Sequence, residues 1–390
     1  MRRIAILGAT GSIGRQALEV IDAYPEHFQV SALVANRNVQ SLAATANRLR
    51  PPLLAAGTPE SAAALSDLLT YPPQAIGYGP SGLLAAATLS GADMVLAATD
   101  GMVSLAAVSA ALERRIDVAL ANKELAVAAG EPLFAQARRT GAALLPVDSE
   151  HSAVFQCAVG ERAGDIASVL LTASGGPCWG LNLAELKRVT PEQALRHPTW
   201  DMGPKNSLDS ATMMNKGLEV IEASRFFSLS PSQVEVVVHR QSVAHAFVLF
   251  CDGSIKGQFA SPDMRLPIGY ALAYPKRLPM ASAAARALDV LGARAPVTLT
   301  FEPVDATRFP AIRLAYRALK AGGTYPAVLS AANERAGRAF MRGKVRFTDI
   351  AVLIERALDA HDGRAATFSE IEDADRWARS ATDDAISSIT

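Results

Sequence analysis

The sequence predicts an α/β protein: an N-terminal doubly wound parallel sheet, a central α+β region and a small C-terminal helical bundle. Three observations carry this expectation. Up to Val147, short apolar runs alternate with alanine-rich helical stretches. A glycine turn joins the first apolar run directly to a helix. Polar and charged residues stand where the runs end, which is where open parallel sheets bind ligands.

Composition narrows the class. A chain of 390 residues, half of them hydrophobic, suits two or three domains with substantial cores. The expected divisions are 1–148, 149–273, a linker 274–300 and a helical domain 301–390. With 38 basic and 38 acidic residues the net charge is zero, which argues against broad binding to nucleic acid or a membrane surface. Cys157, Cys178 and Cys251 form no disulfide framework and fit a reducing compartment. The apolar start after Arg3 is too short for a signal peptide. The segment from Met94 to Leu112 carries Asp100 and reads as strand then helix rather than a membrane span. A soluble, cytoplasmic protein is expected.

The first strand, Arg3 to Leu7, runs into Gly8-Ala9-Thr10-Gly11-Ser12-Ile13-Gly14 and then a helix from Arg15 to Tyr24. Strand, glycine turn and helix is the context of a Rossmann-like dinucleotide fingerprint, here spaced GxxGxxG. The second strand, Phe28 to Val34, leads to Asn36-Arg37-Asn38. A guanidinium where NAD-binding proteins place an acid suits a 2′-phosphate, so NADPH is expected. Asp93 to Ala98, Ile116 to Leu120 and Ala143 to Val147 complete the expected strands, with Asn122-Lys123-Glu124 after the second of these. The last leads into Asp148-Ser149-Glu150-His151. In an extended backbone Asp148 and Glu150 would point the same way and offer oxygens to one hard cation.

After His151 the texture changes. Ser168 to Ala173 is expected as a strand ending in Ser174-Gly175-Gly176-Pro177. Arg196 to Lys205, with Trp200 and Met202, reads as a mobile flap spanning 197–206. Ser210 to Glu222 reads as one largely buried helix in which Asn215 and Lys216 neighbour Glu219. Val234 to His239, Ala244 to Phe250 and Ser254 to Ala260 read as antiparallel strands with a hairpin at Cys251-Asp252-Gly253, and His245 reads as structural. Edges of such a sheet invite cover by a second copy. Residues 274–297 read as a connector. Pro310 to Lys320, Pro326 to Phe340, Thr348 to Ala360 and Ser369 to Ala381 have helical periodicity.

Together these residues resemble the 1-deoxy-D-xylulose 5-phosphate reductoisomerase family over essentially the whole chain. The resemblance is carried by the Gly8–Gly14 turn, Ala121-Asn122-Lys123-Glu124, Leu145 to His151, Ser174 to Pro177, His197-Pro198 with Trp200 and Met202-Gly203, Asp209 to Glu219, Ser261 to Met264, and Ala331 to Glu334. It implies a homodimeric enzyme that converts a small phosphorylated sugar, 1-deoxy-D-xylulose 5-phosphate, into 2-C-methyl-D-erythritol 4-phosphate, in isoprenoid precursor synthesis. Its cofactors would be NADPH and a divalent metal, Mg2+, Mn2+ or Co2+. By motif position, Asp148, Glu150 and Glu219 would hold the metal and, with Lys123, serve catalysis. Ser149, Ser174, His197, Ser210, Asn215 and Lys216 would hold the substrate, with Glu150 and Glu219. Thr10, Gly11, Ser12, Ile13, Asn36, Arg37, Asn38, Asn122, Lys123, Glu124 and Gly203 would line the cofactor site, and Trp200 and Met202 the flap. Asn36, Thr99-Asp100, Cys178-Trp179, Thr199, Asp201, Pro204 and Asn206 depart from the family pattern.

Two other readings use part of this set. A semialdehyde-dehydrogenase-like enzyme needs a thiolate, for which Cys157, in an apolar helical run, is the candidate near the centre of the chain. An NADPH-sensing regulator needs the cofactor loop without the three carboxylates.

Overall fold

Ile4, Ala5, Ile6 and Leu7 are all buried, because β1 (Arg2–Leu7) is the middle strand of a seven-stranded parallel sheet. The computed structural model describes residues 1–198, 200, 202–280, 287–291 and 297–389. Thr199 and Asp201 of the expected flap, and 281–286 and 292–296 of the expected linker, therefore lie outside the described residues. Beside β1 lie β2 (Phe28–Val34), β3 (Leu53–Ala56), β4 (Ala75–Tyr78), β5 (Met94–Ala97), β6 (Asp117–Leu120) and β7 (Leu144–Pro146). Their order is β4-β3-β2-β1-β5-β6-β7, so the sheet reverses its winding at β1, between β2 and β5.

The doubly wound parallel sheet is as expected, but β3 and β4 were not anticipated. Leu53-Leu54-Ala55-Ala56 is four residues of good helix formers, too short to show a period. It becomes a strand because β2 and β4 flank it and bury all four.

By contacts the chain divides into two compact units, which do not follow the linear divisions of the sequence. The first contains Met1–Leu125, Leu133–Ser152 and 263–280. Helix Arg265–Ala273 belongs to it because it packs on helix Ser12–Ala23, with Arg265 reaching Glu19 at 3.3 Å and Arg2 donating to the Leu272 carbonyl at 2.9 Å.

The second unit contains Ala126–Pro132, Ala153–Pro262 and the described residues from 287 on. Its sheet has the order β11-β10-β8-β9-β12, with β8 (Ile166–Ala173), β9 (Val234–Val238), β10 (Ala244–Phe250), β11 (Ile255–Phe259) and β12 (Glu302–Pro303). The expected hairpin joins β10 and β11, which pair antiparallel. The expectation that β9 joins that antiparallel set is corrected: β9 pairs parallel with β8 and antiparallel with β12. The chain between β8 and β9 holds several helices, the long crossover that parallel pairing needs.

The single helix expected over Ser210–Glu222 is two, Pro204–Ala211 and Met214–Phe227. Met213 between them is left-handed at φ 62°, which no continuous helix allows. Pro204, Lys205 and Asn206, read as flap, are instead the first turn of the shorter helix, where proline is at home. The C-terminal helices are Ala311–Ala321, Tyr325–Met341, Asp349–Asp359 and Phe368–Ser387. Val328, Leu329, Leu353, Ile354 and Ala378 place their apolar stripes in the core of this unit.

Charge ties these helices as well. Glu334 accepts from Arg379 at 2.7 Å and also pairs with Arg338. Burial pushes its carboxyl up, but the Arg379 hydrogen bond and the charges of Arg379, Arg338 and Lys205 prevail and hold it below the usual range. A carboxyl depressed in the folded state stabilises fully above its unfolded value of about 4.3, and the contribution is lost as pH falls through the folded value. Glu334→Gln is therefore expected to cost about 1–3 kcal/mol at pH 7. Urea unfolding from pH 7 downward checks it: the gap to the parent should close progressively below about pH 4.3.

Candidate active site

The glycine turn after β1 is built for close approach. Gly8 lies at φ 98°, and a Cβ there would come within 2.2 Å of the Ala98 carbonyl oxygen. A Cβ on Gly14 would come within 2.2 Å of the Gly8 oxygen, so the start of helix Ser12–Ala23 lies directly against the turn. That helix begins at Gly11 with no side-chain cap and no acid in its first turn, leaving its amides and positive dipole end to a ligand. Gly11 and Ser12 are exposed, and Thr10 and Ile13 are half-buried.

Asn36, Arg37 and Asn38 are exposed beyond β2. The Asn38 side chain accepts from the Ser41 amide at 3.1 Å and so caps helix Val39–Leu49. Asn122, buried at the end of β6, donates to the carbonyls of Thr99 at 2.6 Å and Gly101 at 2.8 Å and accepts from Leu125 N at 2.9 Å. It braces the Thr99–Gly101 loop after β5. Glu124 beside it is buried.

Asp148 and Glu150 do not lie on an extended strand, so the i, i+2 argument for them is corrected. β7 stops at Pro146, and helix Ser149–Ala158 begins at once, with the Asp148 carbonyl accepting from Ser152 N at 2.8 Å. Both carboxylates thus stand at a helix N-terminus, whose dipole favours negative charge. Asp148 Oδ2 lies 2.7 Å from Lys123 Nζ and 3.5 Å from Nδ1 of the fully buried His151. Burial would raise the Asp148 carboxyl, but the Lys123 charge and His151 hold it far below the ordinary range. Ser149 Oγ donates to Glu150 Oε2 at 2.6 Å.

In the second unit, Ser174 follows β8 and leads into Gly175 and Gly176, both at positive φ. A Cβ on Gly176 would stand 2.5 Å from the Ser210 carbonyl oxygen, so this turn lies against the end of helix Pro204–Ala211. His197 Nδ1 accepts from the Trp200 amide at 2.9 Å, and burial lowers its pKa. The neutral ring therefore carries its proton on Nε2 and donates to Ser174 Oγ, 3.0 Å away. Ser174 Oγ also accepts from Gly176 N at 3.2 Å, which leaves its own proton as a donor for a ligand. Trp200 packs near His245, whose Nε2 meets the Ala260 carbonyl at 3.2 Å. Met202 and Gly203 precede helix Pro204–Ala211, and Ser207 Oγ donates to the Met202 carbonyl at 3.3 Å.

Helix Met214–Phe227 carries the third group. Glu219 is 0% exposed, and its two oxygens accept from Asn215 and from Lys216, itself 3% exposed. The expectation that these three neighbour one another holds, at i, i+3 and i, i+4 spacing. His151, Asp209 and Asn333 were absent from the expected site. Each lies within a motif that carries the family resemblance, but residue order alone gave none of them a partner.

Cys157 is buried in helix Ser149–Ala158, and burial raises its thiol, the opposite of what a nucleophile needs.

Residues 4–130 match the family described as 1-deoxy-D-xylulose 5-phosphate reductoisomerase, 144–227 the C-terminal domain of the same name, and 259–381 the DXP reductoisomerase C-terminal domain. The chain is 49% identical over 381 residues to the 1-deoxy-D-xylulose 5-phosphate reductoisomerase of Moorella thermoacetica, covering 97% of this chain and 96% of that one. It is 46% identical over 380 residues to that of Geobacter metallireducens, covering 97% of each. Among solved structures, the reductoisomerase from Zymomonas mobilis in complex with NADPH aligns with a TM-score of 0.91 at 41% identity, covering 99% of both chains. A reductoisomerase in complex with NADPH, fosmidomycin and magnesium aligns at 0.90 and 35%, covering 99% of this chain and 98% of the other. This chain belongs to the 1-deoxy-D-xylulose 5-phosphate reductoisomerase family.

Proposed function

We propose that this chain isomerises and reduces 1-deoxy-D-xylulose 5-phosphate to 2-C-methyl-D-erythritol 4-phosphate, using NADPH and a divalent cation, Mg2+, Mn2+ or Co2+. The observation that carries this reading is Glu219, a carboxylate with no solvent exposure that holds Asn215 and Lys216 on its own helix. Buried charge of this kind is expensive unless it serves a ligand or a partner.

The donor set fits a hard cation. Asp148, Glu150 and Glu219 offer only carboxylate oxygens, the ligands that magnesium and manganese favour. The glycine turn and uncapped helix start fit a pyrophosphate, and Arg37 has no ion pair among the described residues with which to compete for a 2′-phosphate. When bound, the cation polarises the substrate's oxygens and the nicotinamide supplies hydride.

The chain's own residues do the rest. Lys123 and His151 hold the Asp148 carboxylate ionised and oriented. Ser149 orients Glu150. Ser174, primed as a donor by neutral His197, joins Ser210, Asn215 and Lys216 in binding the phosphate, a handle remote from the reacting carbons. Trp200 and Met202 lie in the segment that closes over the substrate and excludes water. The first unit carries the cofactor groups together with Lys123, Asp148 and Glu150, and the second carries Ser174, His197, Ser210, Asn215, Lys216, Glu219 and the C-terminal helices. Two copies pair through the second sheet: β11 is an edge strand, with Ile255 64% and Phe259 40% exposed on one face. Three unpaired cysteines support a cytoplasmic setting.

NADPH oxidation followed by absorbance, with 1-deoxy-D-xylulose 5-phosphate and Mg2+ or Mn2+, tests the reading. Turnover should yield methylerythritol phosphate and stop on adding a chelator. NADPH binding without turnover under any of these metals would sink it. Glu219→Gln should lower kcat by at least ~10²-fold while the enzyme still binds NADPH. Arg37→Ala should raise the KM for NADPH by roughly 10–100-fold and leave that for NADH nearly unchanged, as measured by steady-state kinetics with each cofactor.

A further inference from the structure

Helix Pro204–Ala211 has only eight residues, too few to be stable by itself, yet it joins the flap residues Trp200 and Met202 to Ser210. Something outside the helix must therefore hold Ser210 in place. The helix carries one deeply buried acid, Asp209, 4% exposed and immediately before Ser210. Its Oδ2 lies 2.8 Å from Lys205 Nζ, one turn earlier in the same helix. Its Oδ1 accepts from Asn333 Nδ2 at 2.8 Å, and Asn333 is 3% exposed in the middle of helix Tyr325–Met341. An amide at such a position is costly unless paired.

The two helices approach closely along this face. One turn beyond Asn333, a Cβ on Gly337 would meet Leu208 Cδ2 at 3.1 Å. Against Ser210 itself lies the Gly176 turn, where a Cβ would come within 2.5 Å of the Ser210 carbonyl oxygen and 3.1 Å of its hydroxyl. Ser210 thus touches a glycine turn and directly follows an acid whose orientation is given by Asn333.

We propose that Asn333, acting through Asp209, is a positioning residue for substrate phosphate binding: its hydrogen bond sets the register of helix Pro204–Ala211 and so the place of the Ser210 hydroxyl. The C-terminal helices then take part in substrate recognition through a residue that touches no substrate. This inference rests on the assignment of Ser210 to the phosphate.

The test compares variants of the full-length enzyme by steady-state kinetics and thermal unfolding. Asn333→Ala should raise the KM for 1-deoxy-D-xylulose 5-phosphate by at least ~10-fold, the scale of a lost hydrogen bond to a charged group, with kcat and the KM for NADPH little changed. The paired exchange Asp209→Asn with Asn333→Asp restores a donor and an acceptor with their sides reversed, and should recover most of the KM. It also serves if Asn333→Ala does not fold. Arg335→Gln, on the same helix but turned to Asp383 at 2.8 Å, should leave KM unmoved. Ser210→Ala is the benchmark. If it raises KM while Asn333→Ala does not, or if Arg335→Gln raises KM as much as Asn333→Ala, the positioning role is wrong. If Ser210→Ala itself leaves KM unmoved, the phosphate assignment fails and the inference falls with it.

Discussion

A carboxylate taken out of water must find its opposite charge or a set of donors, because leaving one buried alone costs several kcal/mol. Much of the functional structure of this protein follows from that constraint. Asp148 is held by Lys123 and His151, Glu219 by Lys216 and Asn215, Asp209 by Lys205 and Asn333, and Glu334 by Arg379 and Arg338. Removing either member of such a pair leaves the other stranded, so each pair specifies one arrangement of its surroundings. That is also what a site for a cation and a phosphate needs: charges held in fixed places before the ligand arrives.

Backbone geometry places these charges. Parallel strands end at the same edge of the first sheet, so Thr10, Arg37, Asn122 and Asp148 follow β1, β2, β6 and β7 at that edge. Helix starts add amide donors and a favourable dipole, both where the Gly8–Gly14 turn meets helix Ser12–Ala23 and where Ser149 opens its helix. In the second unit the left-handed Met213 turns the chain between two helices, so that Ser210 and Asn215 lie on separate helices although only four residues intervene. Gly175 and Gly176, both at positive φ, turn the chain directly after Ser174.

The sequence was most informative where chemistry and local pattern coincide. The Gly8–Gly14 turn sits between a strand and a helix, and Asn215, Lys216 and Glu219 fall at helical neighbour spacing, so both were legible from residue order alone. It was least informative where a neighbour decides. β3 is a strand only because β2 and β4 flank it, and β9 is parallel to β8 because of the long crossover between them. Asp148 and Glu150 stand on a local geometry other than the expected one: β7 stops at Pro146 and a helix begins at Ser149.

By itself the sequence determined the α/β class, the family and the residue types able to hold a cation, a phosphate and a dinucleotide, because these depend on composition, short-range spacing and motifs read along the chain. The tertiary structure alone decided which groups answer one another across distance. Asn333 meets Asp209 from 124 positions away, and no periodicity records such a pair. Lys123 meets Asp148 because β6 and β7 are adjacent strands that end side by side. The physical reason is the same in both cases: a hydrogen bond or an ion pair depends on distance in space, and only packing brings distant parts of the chain within a few ångströms.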